Sequence, residues 1–183
     1  LIKETFANLN SVTIVYGTGK CSLAAHRDYW DEEKQIWVCG YAPDTPADNT
    51  VIVADVRKDD DTSIATLVNY ACHPTTLAWG NTLISPDYPG AMRETIEGVT
   101  GVPCLFLHVA SGELGPVEGC VGNTKVAERN GRQLAYAALS ALESLPAPNT
   151  RFEYTGPVTS GATLGEWKHT RLSKANREIN SLW

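Results

Sequence analysis

The sequence has no long hydrophobic run. None of its segments approaches the roughly 18 apolar residues that a membrane-spanning helix needs, so we expect no transmembrane segment. The N-terminus also lacks the charged and then apolar pattern of an attached signal peptide. The chain begins with LIKETFANLN, which is typical of the end of a helix already under way. We therefore expect the sequence to be a piece of a longer protein.

Positive charge is scarce as well. The 183 residues include 15 Lys and Arg against 21 Asp and Glu, for a net charge of −6. Basic residues become frequent only in WKHTRLSKANR near the C-terminus, where a solvated helix face explains them better than a binding patch. Because nucleic-acid binding needs a basic stripe that attracts phosphates, we expect no nucleic-acid partner.

Cysteine patterns typical of zinc knuckles and thioredoxin-like sites are missing, because no two cysteines form a CxxC pair. The five cysteines are Cys21, Cys39, Cys72, Cys104 and Cys120, and the odd number leaves at least one unpaired. Cys21 and Cys39 both lie in strand-like sequence. They are expected to face each other as buried thiols, which we favour, or as a disulfide. The cysteine pattern therefore fits an oxidising as well as a reducing compartment.

The composition is that of an ordinary globular protein, with 43% hydrophobic and 20% charged residues, and its length suits one domain with a real core. The clearest element is TVIVADVRKDDDTSIATLVNYAC, where two runs rich in Val and Ile flank three Asp residues. This pattern predicts a β-hairpin. Both runs are apolar at nearly every position, so we expect both faces of the sheet to be covered.

Helices and strands alternate after the hairpin. DYPGAMRETIEGVTG predicts a helix with Asp87 as N-cap, Pro89 in its first turn and Gly101 at its end. VPCLFLHVA predicts a short buried strand. GNTKVAERNGRQLAYAALSALESLPAP predicts the longest helix, which Pro146 ends, and Gly131 within it indicates a close approach to a neighbour. TRFEYTGPVTSGATL is typical of a further strand, and the tail is predicted to be helical.

This order of elements predicts an α/β fold, a layered mixed β-sheet flanked by helices, with residues 1–183 in a single domain. In such sheets, ligands bind at the loops beyond the carboxyl ends of the strands. His73 follows one such end, and Ser111 to Gly115 follow another. We therefore expect these two loops to converge on one cleft.

His73 stands at the end of an apolar run and directly before Pro74. A proline disfavours helix at the preceding residue and keeps its backbone extended, so the imidazole is held at a strand tip. A preorganised neutral imidazole suits Zn²⁺. The alternative is a histidine that only hydrogen-bonds a loop carbonyl. The residues alone favour this alternative, because no HxH or HExxH spacing completes a metal site.

The second loop, ASGELGP, combines a serine, a carboxylate and two glycines. A tight turn at Gly112 and Gly115 exposes backbone N–H groups, which can form an anion nest or an oxyanion hole for a substrate. Ser111 is a candidate nucleophile or, more often in such turns, a backbone cap. The segment is not a GxSxG elbow, because Val109 stands at the upstream glycine position. Glu113 is a candidate general base, metal ligand or solvated carboxylate.

Two further residues near these loops have simpler interpretations. His108 lies within the apolar strand and is interpreted as a core histidine. Cys72 adjoins His73, but neighbouring strand residues point to opposite faces, which disfavours a Cys–His dyad.

Several ordered blocks together resemble the neutral/alkaline (non-lysosomal) ceramidase family, in its bacterial ceramidase-like branch. The blocks are ATLVNYACHPTTL…ISPDYPGAMRETIE, then PCLFLHVASGELGP, then VGNTKVAERNGRQLAYAALSAL, preceded by AAHRDYWDEEKQIWVCGYAPD…TVIVADV. The resemblance covers nearly Gly17 to Leu145. Each block alone is weak, and their order makes the resemblance specific.

The resemblance implies part of a longer, zinc-dependent catalytic domain that hydrolyses N-acylsphingosine to sphingosine and a fatty acid, or a related lipid amide. It also implies a substrate at a membrane surface and a secreted or periplasmic location. The family's zinc is held by two His, a Glu and a Tyr. By position, His73 matches the second zinc His, and Arg27 matches an Arg near the substrate. The other ligands would lie before Leu1 and after Trp183.

The chain departs from the family at the nucleophile. The family's Ser, in a Gly-Asp-Val-Ser-Pro-Asn type motif, is Gly115 here, and the Asn of its Asn-Arg block is His26. A glycine cannot attack a carbonyl, so either Ser111 replaces the nucleophile or a metal-activated water does. Three functions stay open: a ceramidase-like zinc amidase, a zinc hydrolase of another amide or ester, and a binding relative without activity. The residues favour the two hydrolases.

Overall fold

The computed structural model describes residues 2–173. Its elements in chain order are α1 (Ile2–Ala7), β1 (Thr13–Lys20), β2 (Ala24–His26), β3 (Asp28–Asp31), β4 (Ile36–Cys39), β5 (Thr50–Arg57), β6 (Ser63–Tyr70), a 3₁₀ turn (Ala78–Gly80), α2 (Tyr88–Thr100), β7 (Cys104–His108), β8 (Leu114–Pro116), α3 (Thr124–Glu143), β9 (Thr150–Ser160) and β10 (Ala162–Arg171). No helix in this range is long and apolar enough to cross a membrane.

A four-stranded mixed sheet in the order β1–β5–β6–β7 forms the centre of the structure. Strand β5 pairs antiparallel with both β1 and β6, and β6 pairs parallel with β7. The parallel pair is possible because α2 crosses between its two strands. Shorter antiparallel pairs join β2 to β8 and β3 to β4. The predicted α/β fold with a mixed sheet is confirmed.

The predicted hairpin is the pair β5–β6. Asp60 Oδ1 accepts the Thr62 N–H at 3.0 Å, and the Lys58 N–H donates to the Thr62 carbonyl at 2.9 Å. Asp61 adopts a positive φ of 68°, which Asp tolerates better than most residues. The acidic run therefore closes the turn.

Helix α2 begins at its predicted N-cap. Asp87 Oδ1 accepts the Tyr88 N–H at 2.7 Å, and Asp87 Oδ2 accepts the Leu77 N–H at 2.8 Å. The helix ends at Gly101, which is left-handed with a φ of 72°. One carboxylate thus starts α2 and also anchors the loop that follows His73.

Helices α2 and α3 pack on one face of the sheet and form the core with it. Gly131 of α3 contacts α2 closely, since a Cβ there would lie 2.4 Å from the Tyr88 carbonyl oxygen. The predicted close approach is confirmed. The fully buried apolar side chains of this core include Val51, Val53, Val68, Tyr70, Met92, Ile96, Leu134 and Ala138.

The opposite face of the sheet, the open face, is apolar and exposed among the described residues. The expectation that both faces are covered is wrong for residues 2–173, because α2 and α3 pack on the same side. The large side chains of the open face are 42% to 68% exposed: Ile14, Tyr16, Ile52, Leu105 and Leu107.

The C-terminal part of the described chain is a second antiparallel pair, β9–β10. The predicted tail helix is therefore wrong as far as Arg171, and its remainder from residue 174 lies outside the described residues. Trp167 of β10 stacks on Phe152 with ring centroids 6.0 Å apart and contacts Tyr154 at 5.6 Å. These cross-strand aromatic contacts stabilise the strand pair over a helix.

The five cysteines are free thiols. Cys21 is buried whereas Cys39, at the end of β4, is exposed, so the expected facing pair of Cys21 and Cys39 is wrong. The strand β4 pairs with β3 outside the main sheet, and its residues are exposed.

Candidate functional site

The loops that follow β6 and β7 lie side by side. The His73 N–H donates to the Leu114 carbonyl oxygen at 3.0 Å, which joins the loop after β6 to β8. The Thr75 N–H turns back onto the His73 carbonyl at 2.9 Å. Because hydrogen bonds hold the backbone of His73 on both sides, its imidazole projects from a fixed support.

Ser111 lies between two imidazole rings. Its Oγ is 2.9 Å from Nδ1 of His73 and 2.6 Å from Nε2 of His108. The two rings meet edge to face with centroids 5.2 Å apart, and Ser111 itself is only 3% exposed. Since a hydroxyl has one hydrogen and two lone pairs, it can donate to one ring and accept from the other. We call this group the His73–Ser111–His108 triplet.

His108 is a candidate site residue that the sequence did not reveal, and its interpretation as a core histidine is wrong, because the residue is exposed. It shares the covered face of β7 with Cys104 and Phe106, yet it is exposed at the end of the strand. The ring stacks on Phe106 with centroids 6.4 Å apart. Partial desolvation, together with the neighbouring His73 ring, lowers the pKa of His108. The one signal in the sequence is a histidine three residues before the loop serine at a strand end.

Arg27 and Gly115 line a cavity of about 140 Å³ beside the His73 loop. The pairing of β2 with β8 sets Ala25 opposite Gly115, and the Arg27 N–H donates to the Glu113 carbonyl at 2.8 Å. Arg27 Nε is buried and has no hydrogen-bond partner among residues 2–173. Because an unpaired buried donor costs free energy, this nitrogen is a candidate donor to a ligand oxygen. The other cavity-lining side chains include Cys39, Tyr41, Thr75 and Cys120.

Gly112, Glu113 and Gly115, the other candidate residues of this loop, lie in and after the turn that begins at Ser111. The Leu114 N–H donates to the Ser111 carbonyl at 2.9 Å and closes the turn. Gly112 and Glu113 are exposed in that turn, and Gly115 is buried within β8. The Glu113 side chain makes no hydrogen bond or ion pair with the part of the chain that the structure describes. The structure thus groups His73 with Ser111 and Arg27 with Gly115, and it leaves Glu113 facing solvent.

A zinc ion fits this arrangement at one ligand position. The Nδ1 of His73 is engaged by Ser111, while its Nε2 has no hydrogen-bond partner within the described range. Metal-binding histidines are usually held in this way, with the second ring nitrogen hydrogen-bonded. No group of three or more His, Cys, Asp or Glu side chains in residues 2–173 comes together to hold a metal. The described chain therefore fits one zinc ligand and does not supply a complete set.

The fold is similar to that of ceramidases of known structure. Neutral ceramidase from Pseudomonas aeruginosa matches with a TM-score of 0.60 and 19% identity, over 90% of this chain and 30% of that one. A ceramidase complexed with C2 matches with a TM-score of 0.60 and 18% identity, over 89% of this chain and 29% of that one.

These matches establish a ceramidase-like fold. At such low identity they establish the fold alone, and the chain spans about 30% of the length of the matched ceramidases. No family model and no curated protein matches the sequence.

Proposed function

We propose that the chain is part of a zinc-dependent amide hydrolase that acts on N-acylsphingosine or a related lipid amide. The observation that carries this proposal is His73, fixed at a strand end with Nδ1 engaged by Ser111 and Nε2 open. The ceramidase-like fold supports the choice of substrate class.

The proposed roles of the site residues follow from their positions. His73 provides one zinc ligand, and the other ligands come from outside residues 2–173. Zinc, when bound, supplies polarisation of the amide carbonyl and a lowered pKa of water. The unpartnered Nε of Arg27 donates to a substrate oxygen in the cavity, where Gly115 leaves space for the substrate.

The exposed turn has a second set of proposed roles. The backbone of Gly112 is proposed to contact the substrate, and Glu113 to exchange a proton with it from the solvent side. Neither residue lines the cavity beside Arg27, so both roles depend on a substrate that reaches the solvent side of the turn.

Ser111 is a poor candidate for the nucleophile. Ser111 is 3% exposed, and its hydroxyl is hydrogen-bonded to both imidazole rings. We therefore propose water as the attacking group and Ser111 as a support for His73. This version predicts that Ser111→Ala keeps part of the activity whereas His73→Ala abolishes it.

Hydrolysis of a fluorescent N-acylsphingosine by the longest native form of the protein, loaded with zinc, tests the proposal. We expect turnover by the wild type and a loss of at least about 100-fold in His73→Ala. His169→Ala is the matched control, because His169 is an exposed histidine on β10. A folded, zinc-loaded wild type without turnover overturns the assignment as an amidase of this substrate.

Ligand binding without catalysis is a second candidate function. It is favoured by Gly115, which stands where the resemblance places the family's Ser, and by the buried donor of Arg27. This alternative predicts that the protein binds a fluorescent lipid amide without cleaving it. Arg27→Ala is then expected to weaken binding, whereas His73→Ala leaves binding unchanged.

The location of the protein is a proposal from the resemblance alone. We propose that it acts outside the cytoplasm, in a secreted or periplasmic form, and meets its lipid substrate at a membrane surface. Fractionation of cells that produce the native protein tests the first part, and sedimentation with lipid vesicles tests the second.

A further inference from the structure

We propose that Ser111 and His108 are positioning residues that set the tautomer of His73. Ser111 Oγ accepts the hydrogen of His73 Nδ1 and donates its own hydrogen to His108 Nε2. The use of this tautomer for zinc binding rests on the proposed function. The tautomer itself is a property of the metal-free chain, so the two can be tested separately.

The two distances in the triplet establish its two hydrogen bonds, and the tautomers of the two rings set their directions. Hydrogen bonds from N–H to oxygen centre on about 2.9–3.0 Å, whereas those from an O–H donor are shorter, near about 2.7–2.8 Å for an oxygen acceptor. The His73–Ser111 distance of 2.9 Å matches an N–H donor on the ring. The Ser111–His108 distance of 2.6 Å matches the hydroxyl as donor. The proposed direction, from His73 through Ser111 to His108, agrees with both distances.

This direction decides what His73 can bind. A neutral imidazole carries one hydrogen, and with that hydrogen on Nδ1 the other nitrogen, Nε2, presents a lone pair. That nitrogen has no hydrogen-bond partner in residues 2–173, so it is available to a cation. In the opposite direction, Nε2 of His73 would carry the hydrogen, and Nδ1 would accept from Ser111. That arrangement is typical of a serine activated by a general base.

Burial of Ser111 keeps its hydroxyl paired with the two imidazole rings. Ser111 is 3% exposed, so its hydroxyl cannot exchange a ring nitrogen for bulk water. His108 lies opposite Tyr70 in the parallel pairing of β6 and β7, and His73 follows the same strand β6. The His108 ring therefore projects from the end of β7, and the His73 ring projects from the loop after the neighbouring strand β6. The serine that joins them has no other partner for its side chain in the described chain.

Imidazole ¹⁵N shifts of the metal-free 183-residue chain test the proposal, because the chain has only four histidines. We expect His73 to carry its hydrogen on Nδ1, with an unprotonated Nε2. His108→Phe removes the acceptor for the serine hydroxyl, so His73 is expected to shift toward the Nε2–H tautomer. His108→Gln restores an acceptor in its amide oxygen and is expected to keep the wild-type tautomer.

The same spectra contain their own control for folding. The signals of His26 and His169 lie outside the triplet and are expected to stay unchanged in both variants. A wild-type His73 with its hydrogen on Nε2 overturns the proposal. A His73 tautomer that His108→Phe leaves unchanged, with the His26 and His169 signals intact, overturns it as well.

Zinc affinity of the longest native form, measured by competition with a chelator, separates this inference from the proposed function. Loss of a residue that orients a metal-binding histidine typically costs about 10–100-fold in affinity, and we expect this loss for His108→Phe and much less for His108→Gln. A wild type with the expected tautomer but no zinc binding overturns the proposed function and leaves the inference standing. Equal zinc affinity in the wild type and both variants overturns the use of this tautomer in zinc binding and leaves the proposed function standing.

Discussion

A Cβ atom at Gly115 would lie 3.9 Å from the Thr75 hydroxyl oxygen, at an ordinary van der Waals distance. The Cβ of Arg27 is equally near at 3.9 Å, and its Cδ is 4.0 Å away. The position that the resemblance assigns to the family's Ser therefore has room for a Cβ atom. Packing does not explain why glycine stands there.

Gly115→Ser tests whether this position reaches a substrate. We expect the variant to fold normally and to raise lipid-amide hydrolysis by at least about tenfold, which corresponds to about 1.4 kcal/mol of activation free energy. Steady-state turnover of the zinc-loaded native protein measures the change. Gly115→Ala adds the same Cβ without the hydroxyl and is expected to show no gain. Equal rates in both variants would show that a hydroxyl at this position does not reach the scissile bond.

The contact between α2 and α3 depends on Gly131. A Cβ there would lie 2.4 Å from the Tyr88 carbonyl oxygen and 2.8 Å from the Met92 nitrogen, so the helices must move apart. We expect Gly131→Ala to lower the free energy of unfolding by about 1–3 kcal/mol despite its better helix propensity. Urea denaturation measures this change.

Gly98→Ala is the matched control for Gly131→Ala. Gly98 lies in α2, is exposed, and has no atom within 4 Å of an added Cβ. We expect this substitution to stabilise the protein by up to about 1 kcal/mol through helix propensity. If both substitutions stabilise, the helices are not in the contact described above.

The buried thiols are expected to be unreactive. Burial raises the pKa of Cys72 to about 12 and also raises the pKa of Cys21 and Cys104. Because the thiolate is the reactive form, iodoacetamide at about pH 8 should label the exposed Cys39 first. Mass spectrometry of the labelled peptides measures this order. Labelling in urea is the control, since unfolding should make all the cysteines reactive, and fast native labelling of Cys72 would contradict the packing.

The same raised pKa values predict loss of stability in alkali. The folded state holds Cys72 neutral above the pH at which an unfolded thiol ionises, about 8.5. The stabilisation from this group is therefore complete below about pH 8.5 and is lost as the pH rises toward the folded value. Burial also raises the pKa of Tyr70 and Tyr88, which extends the loss to higher pH. Urea denaturation at about pH 8 and about pH 10.5 should show a lower unfolding free energy at the higher pH.

The elements that the sequence predicted correctly are those with local signals. The hairpin β5–β6 has a turn of three Asp residues between β-branched runs, and α2 has an N-cap at Asp87 and an end at Gly101. Each signal lies within the element it defines. Strand β10 has no such signal, because it depends on contacts of Trp167 with Phe152 and Tyr154 across the strand pair.

The site was predictable in part for the same reason. His73 and Gly115 stand out by their neighbours in the chain, and the expectation that the two loops meet is confirmed. The triplet was not predictable, because Ser111 lies 38 residues from His73 and only the parallel pairing of β6 with β7 brings them together. The strand periodicity places His108 on the face of β7 that α2 and α3 cover. It does not predict that the helices leave the end of the strand, and with it His108, exposed.

The open face has a consequence for handling the isolated chain. The side chains of Ile14, Tyr16, Ile52, Leu105 and Leu107 expose a continuous apolar surface to water on one side of the sheet. A surface of this kind favours association with other apolar surfaces, including lipids and further copies of the chain. We expect its solubility, its apparent size and its background binding to lipids to depend on protein concentration and on the surfactant present. Lipid-binding measurements therefore need dilute protein and a variant with this surface made polar beside the wild type.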